Sequence, residues 1–252
     1  MNSTIIKGDL NMKLYNKDKM NAKVDLHMHT TYSDGNITLE ELLEEILEKD
    51  ISVFSITEHD TTENTIKALK FAETNNLCFI PGVEVTSTLE GRRHILGYSI
   101  DYNDDKLNKL MAKNRVLLQS GGDENKLLFP SPEEVITAII DASGVPVIAH
   151  PGCAFYDRDY KRIVKLMLEF GVKGIECYHP ENSKEITNYC LQICTENDLL
   201  ITGGSDYHGS CVPHRKLGVP NIKLSNLKLK NLISPIPGHF FKDPYISRVQ
   251  RV

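Results

Sequence analysis

VDLHMHTTYSDG, residues 24–35, places two histidines two apart at the end of an apolar run, with Asp34 and Gly35 just behind them. In an extended chain, side chains at i and i+2 point the same way. His27 and His29 are therefore expected to project together from the end of a strand, with Asp34 in the loop beyond. Each residue has a bland explanation. A histidine on an apolar strand is most often a satisfied core residue, and Asp before Gly is a turn signal. The rest of the chain decides between these readings.

Short apolar runs recur along the sequence at 24–29, 52–57, 78–83, 93–99, 145–149, 173–178 and 199–203, with the β-branched content of strands buried on both faces. Amphipathic helical patterns fill the gaps at 38–50, 62–75, 131–144, 158–171 and 181–197. The first carries Thr38 as N-cap with Glu41 three residues on, a capping box. The third carries Ser131 as N-cap, Pro132 at N1 and Gly144 at C′. Segment 101–130 reads as one helix and an irregular loop. Strands alternating with helices predict a parallel α/β sheet, and seven of them favour a closed, slightly irregular barrel over an open one. In a barrel, functional groups gather at the C-terminal ends of the strands.

The chain meets that expectation. His59 follows strand two in ITEHD, and Glu84 ends strand three in PGVEV. His94 lies on strand four, His150 ends strand five in VIAHPG, and His179 follows strand six in ECYHP. Asp206 and His208 follow strand seven in GGSDYHG. Asp60 reads as a helix N-cap, and His214 and His239 as surface residues. Bringing so much histidine and acid to one rim serves no packing need, and desolvating these groups costs several kcal/mol unless something binds them. Imidazole with carboxylate, and no cysteine at a ligand position, suits Zn²⁺, Mn²⁺ or Fe²⁺. Nine ligands, His27, His29, Asp34, His59, Glu84, His94, His150, Asp206 and His208, are too many for one tetrahedral ion and fit two or three ions with a bridging carboxylate. Clustered divalent ions bind phosphate and lower the pKa of bound water, which equips a site to hydrolyse a phosphate ester.

Composition narrows the alternatives. The 252 residues suit one large domain, and a net charge of -5 gives no global attraction for nucleic acid or anionic membrane. No run of about 18 apolar residues offers a membrane span, and the polar N-terminus has no apolar signal core. The six cysteines form no C-x-x-C pair, Cys190 and Cys194 read as packing on one helix face, and the chain reads as cytoplasmic. Met12 or Met20 is a candidate start.

HMHTTYSDG, TEHD, PGVEV, the His94 strand, AHPG, GIECYHP and GSDYHG, in this order over roughly residues 23–220, resemble the polymerase-and-histidinol-phosphatase (PHP) superfamily. Within it, the chain is most similar to stand-alone metal-dependent phosphoesterases of the nucleotide phosphatase and 5′-3′ exoribonuclease type. The resemblance implies a distorted (β/α)7 TIM-like barrel and a trinuclear site, with a metal-bridging hydroxide as nucleophile. It implies one ion on His27, His29, Glu84 and Asp206, a second on Asp34, His59 and His208, and a third on Glu84, His94 and His150, so that Glu84 bridges. His179 matches a position near the substrate, where it would contact phosphate or help protonate the leaving group. Arg115, Arg158 and Lys216 are candidate phosphate clamps, although Arg158 on a helix also reads as a solvated face.

The expected organisation is a flexible extension at 1–23, a phosphoesterase domain at 24–233 with a short insertion at 101–130, and an irregular tail at 234–252. Relatives of this kind carry a longer helical insertion between the His94 strand and AHPG, where it helps form the substrate pocket. With a short insertion and no dense basic groove, the expected substrate is a small phosphate ester, a nucleotide or a short oligonucleotide end, with no stable duplex DNA binding and no membrane. The competing readings are a histidinol-phosphate phosphatase and a catalytically weak metal-binding PHP module.

Overall fold

The computed structural model describes residues 20–120, 128–153 and 159–232. It is a mixed α/β structure with two sheets. Strands β1 (Lys23–Asp25), β2 (Ile51–Phe54), β3 (Cys78–Phe79) and β9 (Ile222–Lys223) form one sheet in the order β3-β2-β1-β9. Strands β4 (Gly82–Thr88), β5 (Arg92–Tyr98), β6 (Val145–Ile148), β7 (Gly174–Tyr178) and β8 (Leu200–Gly203) form the other, in sequence order. Helices α1 (Leu39–Glu48), α2 (Thr65–Asn75), α3 (Asp105–Gln119), α4 (Pro132–Asp141), α5 (Tyr160–Glu169) and α6 (Lys184–Glu196) complete the fold.

The strands carry apolar side chains on both faces because both faces are covered. On β2, Val53 joins an inner cluster with Val24, Leu26, Ile80, Leu96, Tyr98 and Val147. Its neighbours Ile51 and Phe54 pack with Leu42, Leu43 and Ile46 of α1 and Ala68 and Ala72 of α2. On β5, Leu96 belongs to the inner cluster while Ile95 packs with Val135, Ile139 and Met167 from the helices on the other sheet. Truncating a side chain such as Ile95, fully buried between these layers, should cost about 2–5 kcal/mol. Cys190 and Cys194 of α6 are core residues of this outer layer, as their spacing indicates.

Backbone hydrogen bonds cross between the sheets at both seams. Leu26 N–H donates to Gly203 O at 3.2 Å and Asp206 N–H to His27 O at 2.8 Å. On the far side, Asp60 N–H donates to Glu84 O at 2.9 Å and Glu84 N–H to Glu58 O at 3.1 Å. The first seam requires glycine. A Cβ on Gly204 would lie 2.4 Å from the backbone nitrogen of His27, so only glycine lets the chain after β8 pack against the His27 segment.

Several expectations need correction. β5 runs antiparallel to both β4 and β6, so a β4–β5 hairpin interrupts the expected parallel order. The loop between these strands holds only three residues, too few for a crossover helix. The single strand expected at 78–83 is two, β3 and β4, which belong to different sheets. Gly144 is not the left-handed residue that ends α4. That conformation falls on Ser143, at φ 61°, after Ala142 as C-cap. Asp60 caps no helix, since α2 starts at Thr65 behind Asn64. The capping boxes Thr38–Glu41 and Ser131–Glu134 are both formed. No helix of the described residues is long and apolar enough to cross a membrane.

Candidate metal centre

The extended segments after β1, β2, β6 and β8 converge with β4 and β5 at one end of the sheets. His94 lies near the start of β5 rather than its end. Because β5 is antiparallel, its N-terminal half reaches the same rim as the C-terminal ends of the parallel strands. All nine expected ligands meet there.

Glu84 is the hub. Its Oε2 lies 3.1 Å from His27 Nε2, 3.1 Å from His29 Nε2 and 3.4 Å from His59 Nδ1. Its Oε1 lies 2.8 Å from His150 Nε2 and 3.0 Å from His94 Nδ1. Around it, His27, His29, Glu84 and Asp206 form one group of converging ligand atoms, and His29, Asp34, His59 and His208 form a second. Asp34 Oδ2 is 3.5 Å from His59 Nε2 and 3.4 Å from His208 Nε2. His94 Nδ1 and His150 Nε2, 3.3 Å apart, complete the third expected set with Glu84 Oε1, and His59 also joins Glu84 and His94.

These groups suit cations. Asp206 Oδ1 is buried without a formed hydrogen bond among the described residues, although the Nε2 atoms of His27 and His29 lie 3.3 and 3.2 Å away. His59 Nδ1 is likewise buried without one. Buried carboxylate oxygens and imidazole nitrogens turned on one another with no proton well placed between them are what a bound ion would satisfy. The electrostatics agree. Burial would raise the carboxyl of Glu84, but His27, His59 and His94 hold it well below the usual range. Burial lowers His59 to about 3, beyond what Glu84 and Asp34 restore. Burial also pulls His29 down, yet Asp206, Glu84 and Asp34 lift it to about 10.

The surrounding residues fix which nitrogen faces inward. His208 Nδ1 donates to Asp206 O at 2.7 Å, leaving Nε2 turned toward Asp34. His27 Nδ1 lies 2.9 Å from Glu176 Oε1, leaving Nε2 toward Glu84. His179 Nδ1 accepts the Glu181 N–H at 3.0 Å, which assigns the proton to Nε2, 3.2 Å from Asp206 Oδ2. Two of the ligands sit on left-handed backbone, His150 at φ 28° and Asp206 at φ 51°. Such conformations cost on the order of 1–3 kcal/mol each and cluster at functional sites.

Three contributors escaped the sequence reading. Glu176 on β7 is fully buried and ties His27 to the backbone N–H of His150. A lone acid in the apolar strand GIECY was the available signal. Glu58 accepts from the Thr30 N–H, the Thr30 hydroxyl, Ser33 Oγ and Asn64 Nδ2, and so anchors the loop that carries Asp34. Arg215 reaches Asp206, whereas the expected Lys216 beside it is exposed. Asp60 carries structure instead of a cap. It accepts from Thr86 N–H, Thr86 Oγ1 and Asn114 Nδ2, and so ties α3 to β4. Arg115, paired with Glu63 at 2.7 Å, lines a cavity of about 300 Å³ with Asp34, His59 and His94. Tyr32, Arg92 and Gln119 share that cavity. Arg158 and His239 lie outside the described residues, and His214 is exposed beside Glu181.

A family model described as PHP domain matches residues 25–170. The chain belongs to the PHP domain family. The match runs from the end of β1 through α5. The chain is 35% identical over 259 residues to the 5′-3′ exoribonuclease Rnm of Salmonella typhimurium, covering 77% of this chain and 87% of that protein. It is 26% identical over 263 residues to a phosphoribosyl 1,2-cyclic phosphate 1,2-diphosphodiesterase of Eggerthella lenta, covering 78% and 98%. Among solved structures, a candidate metal-dependent phosphoesterase from Bifidobacterium adolescentis superposes with a TM-score of 0.67 at 25% identity, covering 78% of this chain and 91% of the other. The resemblance drawn from the motifs is thereby borne out, and the His, Asp and Glu clusters suit divalent metal.

Proposed function

We propose that this chain is a metal-dependent phosphoesterase that hydrolyses a small phosphate ester, a nucleotide or an oligonucleotide end, on two or three divalent ions. The observation that carries the reading is Glu84, whose two oxygens face five imidazoles within 3.4 Å, an arrangement that supports adjoining ion sites sharing this carboxylate. His27, His29, Glu84 and Asp206 would hold one ion, Asp34, His59 and His208 a second, and Glu84, His94 and His150 a third. Mn²⁺, Zn²⁺ and Fe²⁺ all suit this donor set. Ions held there supply Lewis acidity toward phosphoryl oxygens and make hydroxide available near neutral pH.

The chain's own residues do the rest. Asp34, half exposed at the mouth, and Arg115 flank the cavity through which an ester would enter. The cavity's size suits a nucleoside phosphate rather than a duplex. Arg115 and Arg92 there offer cationic donors to a second anionic group or to a sugar edge. His179 has no exposed side-chain surface, so we assign it to holding Asp206 through Nε2–H. Residues 24–233 act as one phosphoesterase unit in this reading, and the unpaired spacing of the cysteines fits a cytoplasmic setting.

The test is phosphate release with Mn²⁺ across nucleoside monophosphates and bisphosphates, a cyclic phosphodiester, short 5′-phosphorylated RNAs and histidinol phosphate. Turnover of nucleotides or RNA ends, varying by less than about a hundredfold in kcat/KM across small nucleotide phosphates, with plasmid DNA uncut, is the expected result. A preference above that bound for histidinol phosphate, or degradation of long duplex DNA, overturns the substrate reading.

A further inference from the structure

We infer that Arg215 is a positioning residue for the metal centre: its guanidinium holds the outer oxygen of Asp206 so that the inner oxygen faces the ions. The inference rests on the metal-dependent reading above and concerns a residue that none of the family motifs in this sequence contains.

Asp206 is a two-sided carboxylate. Oδ1 points into the cluster, 3.3 Å from His27 Nε2, 3.2 Å from His29 Nε2 and 3.5 Å from His208 Nδ1. Oδ2 points away and takes two donors, His179 Nε2 at 3.2 Å and the Arg215 guanidinium. A carboxylate that offered either oxygen to an ion could rotate about χ2. With Oδ2 engaged by the Arg215 Nη1, rotation breaks a charge-assisted hydrogen bond in a buried setting, so a single presentation is retained.

Arg215 is itself held for this task. Its side chain is only 15% exposed, and its Nη2 lies 3.6 Å from Glu181 Oε1 and 3.7 Å from Cys153 Sγ. Glu181 is the same residue whose backbone N–H fixes the His179 tautomer. Arg215, Glu181 and His179 thus form one bracket around Oδ2. The backbone of Asp206, left-handed at φ 51°, is held by its N–H to His27 O and its carbonyl to His208 Nδ1, so the bracket acts on the carboxylate alone. Lysine could supply the charge but not the planar fork.

The test compares wild type with Arg215→Met and Arg215→Lys. Mn²⁺ dissociation constants are read by competition with a chelating dye, kcat and KM at saturating Mn²⁺, and thermal melting after chelation. Arg215→Met is expected to weaken Mn²⁺ binding at one site tenfold or more, with KM at saturating Mn²⁺ within threefold of wild type. Arg215→Lys is expected to recover part of that loss. An unchanged Mn²⁺ constant overturns the inference, and if KM then rises tenfold Arg215 is a substrate contact instead. Should Arg215→Met fail to fold after chelation, Arg215→Gln is read by the same constants, and binding within twofold of wild type is the overturning result. A wild type that binds Mn²⁺ but releases no phosphate from any ester overturns only the substrate reading. A wild type that takes up no divalent ion overturns both.

Discussion

Glu176 Oε1 lies 2.9 Å from His27 Nδ1, and neither side chain has any exposed surface. The contact sets the imidazole so that Nε2 faces Glu84, and the other oxygen of Glu176 accepts the His150 N–H at 2.8 Å. One carboxylate outside the ligand set therefore orders two ligands on neighbouring segments.

Glu176→Gln keeps the shape and removes the charge. Partners of this kind typically contribute 10–100-fold to metal affinity, so a loss of roughly that size is expected. Mn²⁺ titration against a chelating dye measures it, and an unaltered constant would show that packing alone orients His27.

Glu84→Ala should remove more than a single ion per chain, because each of its oxygens faces a different group of imidazoles. Elemental analysis of protein purified with Mn²⁺ is the measurement. A loss confined to one ion would mean that Glu84 does not bridge. Asp206→Asn and His59→Ala should each lower kcat by about a hundredfold or more, and the double variant by much less than the product, since the residues act as a unit.

Chelation should lower the melting temperature. An ion that binds only the folded state at about 100 times its dissociation constant adds ~2.7 kcal/mol. For a chain of this size that is about 5–11 °C for each site. Differential scanning fluorimetry with and without chelator reads the shift, and coincident curves would argue that the cluster binds no ion at these concentrations.

Ion binding should release protons. In the ion-free protein, burial lowers His29 but Asp206, Glu84 and Asp34 raise it to about 10. Below that value the ring is protonated, and it must lose the proton to ligate. Release is thus expected at pH 8, where a histidine with an ordinary pKa of about 6.5 would already be neutral. Calorimetric titrations of Mn²⁺ in two buffers of different ionisation enthalpy detect it. Identical apparent enthalpies would contradict the raised value.

Glu58→Ala should destabilise the fold by about 2–4 kcal/mol, because it strands buried donors from Thr30 and Asn64. Urea denaturation gives the change. The same variant should weaken ion binding through Asp34, whose loop Glu58 anchors by way of Ser33. A stability loss with ion binding intact would separate the two roles.

The sequence alone determined the family, and it named nine candidate ligands that the fold brings to one cluster. His27 and His29 two apart, and His150, Asp206 and His208 just past apolar runs, are legible because strand geometry ties spacing to direction. The capping boxes at Thr38 and Ser131 are legible for the same local reason. Only tertiary structure decided that β5 runs backwards, that residues 78–83 divide between two sheets, and that Asp60 braces Asn114 and Thr86 instead of capping a helix. It also decided that Glu176 meets His27, that Glu58 meets Thr30 and Ser33, that Arg215 meets Asp206, and that Lys216 is exposed. Glu176 meets His27 across 149 residues, and such a contact leaves no periodicity in the chain because the packing of both sheets, not local backbone geometry, brings the partners together.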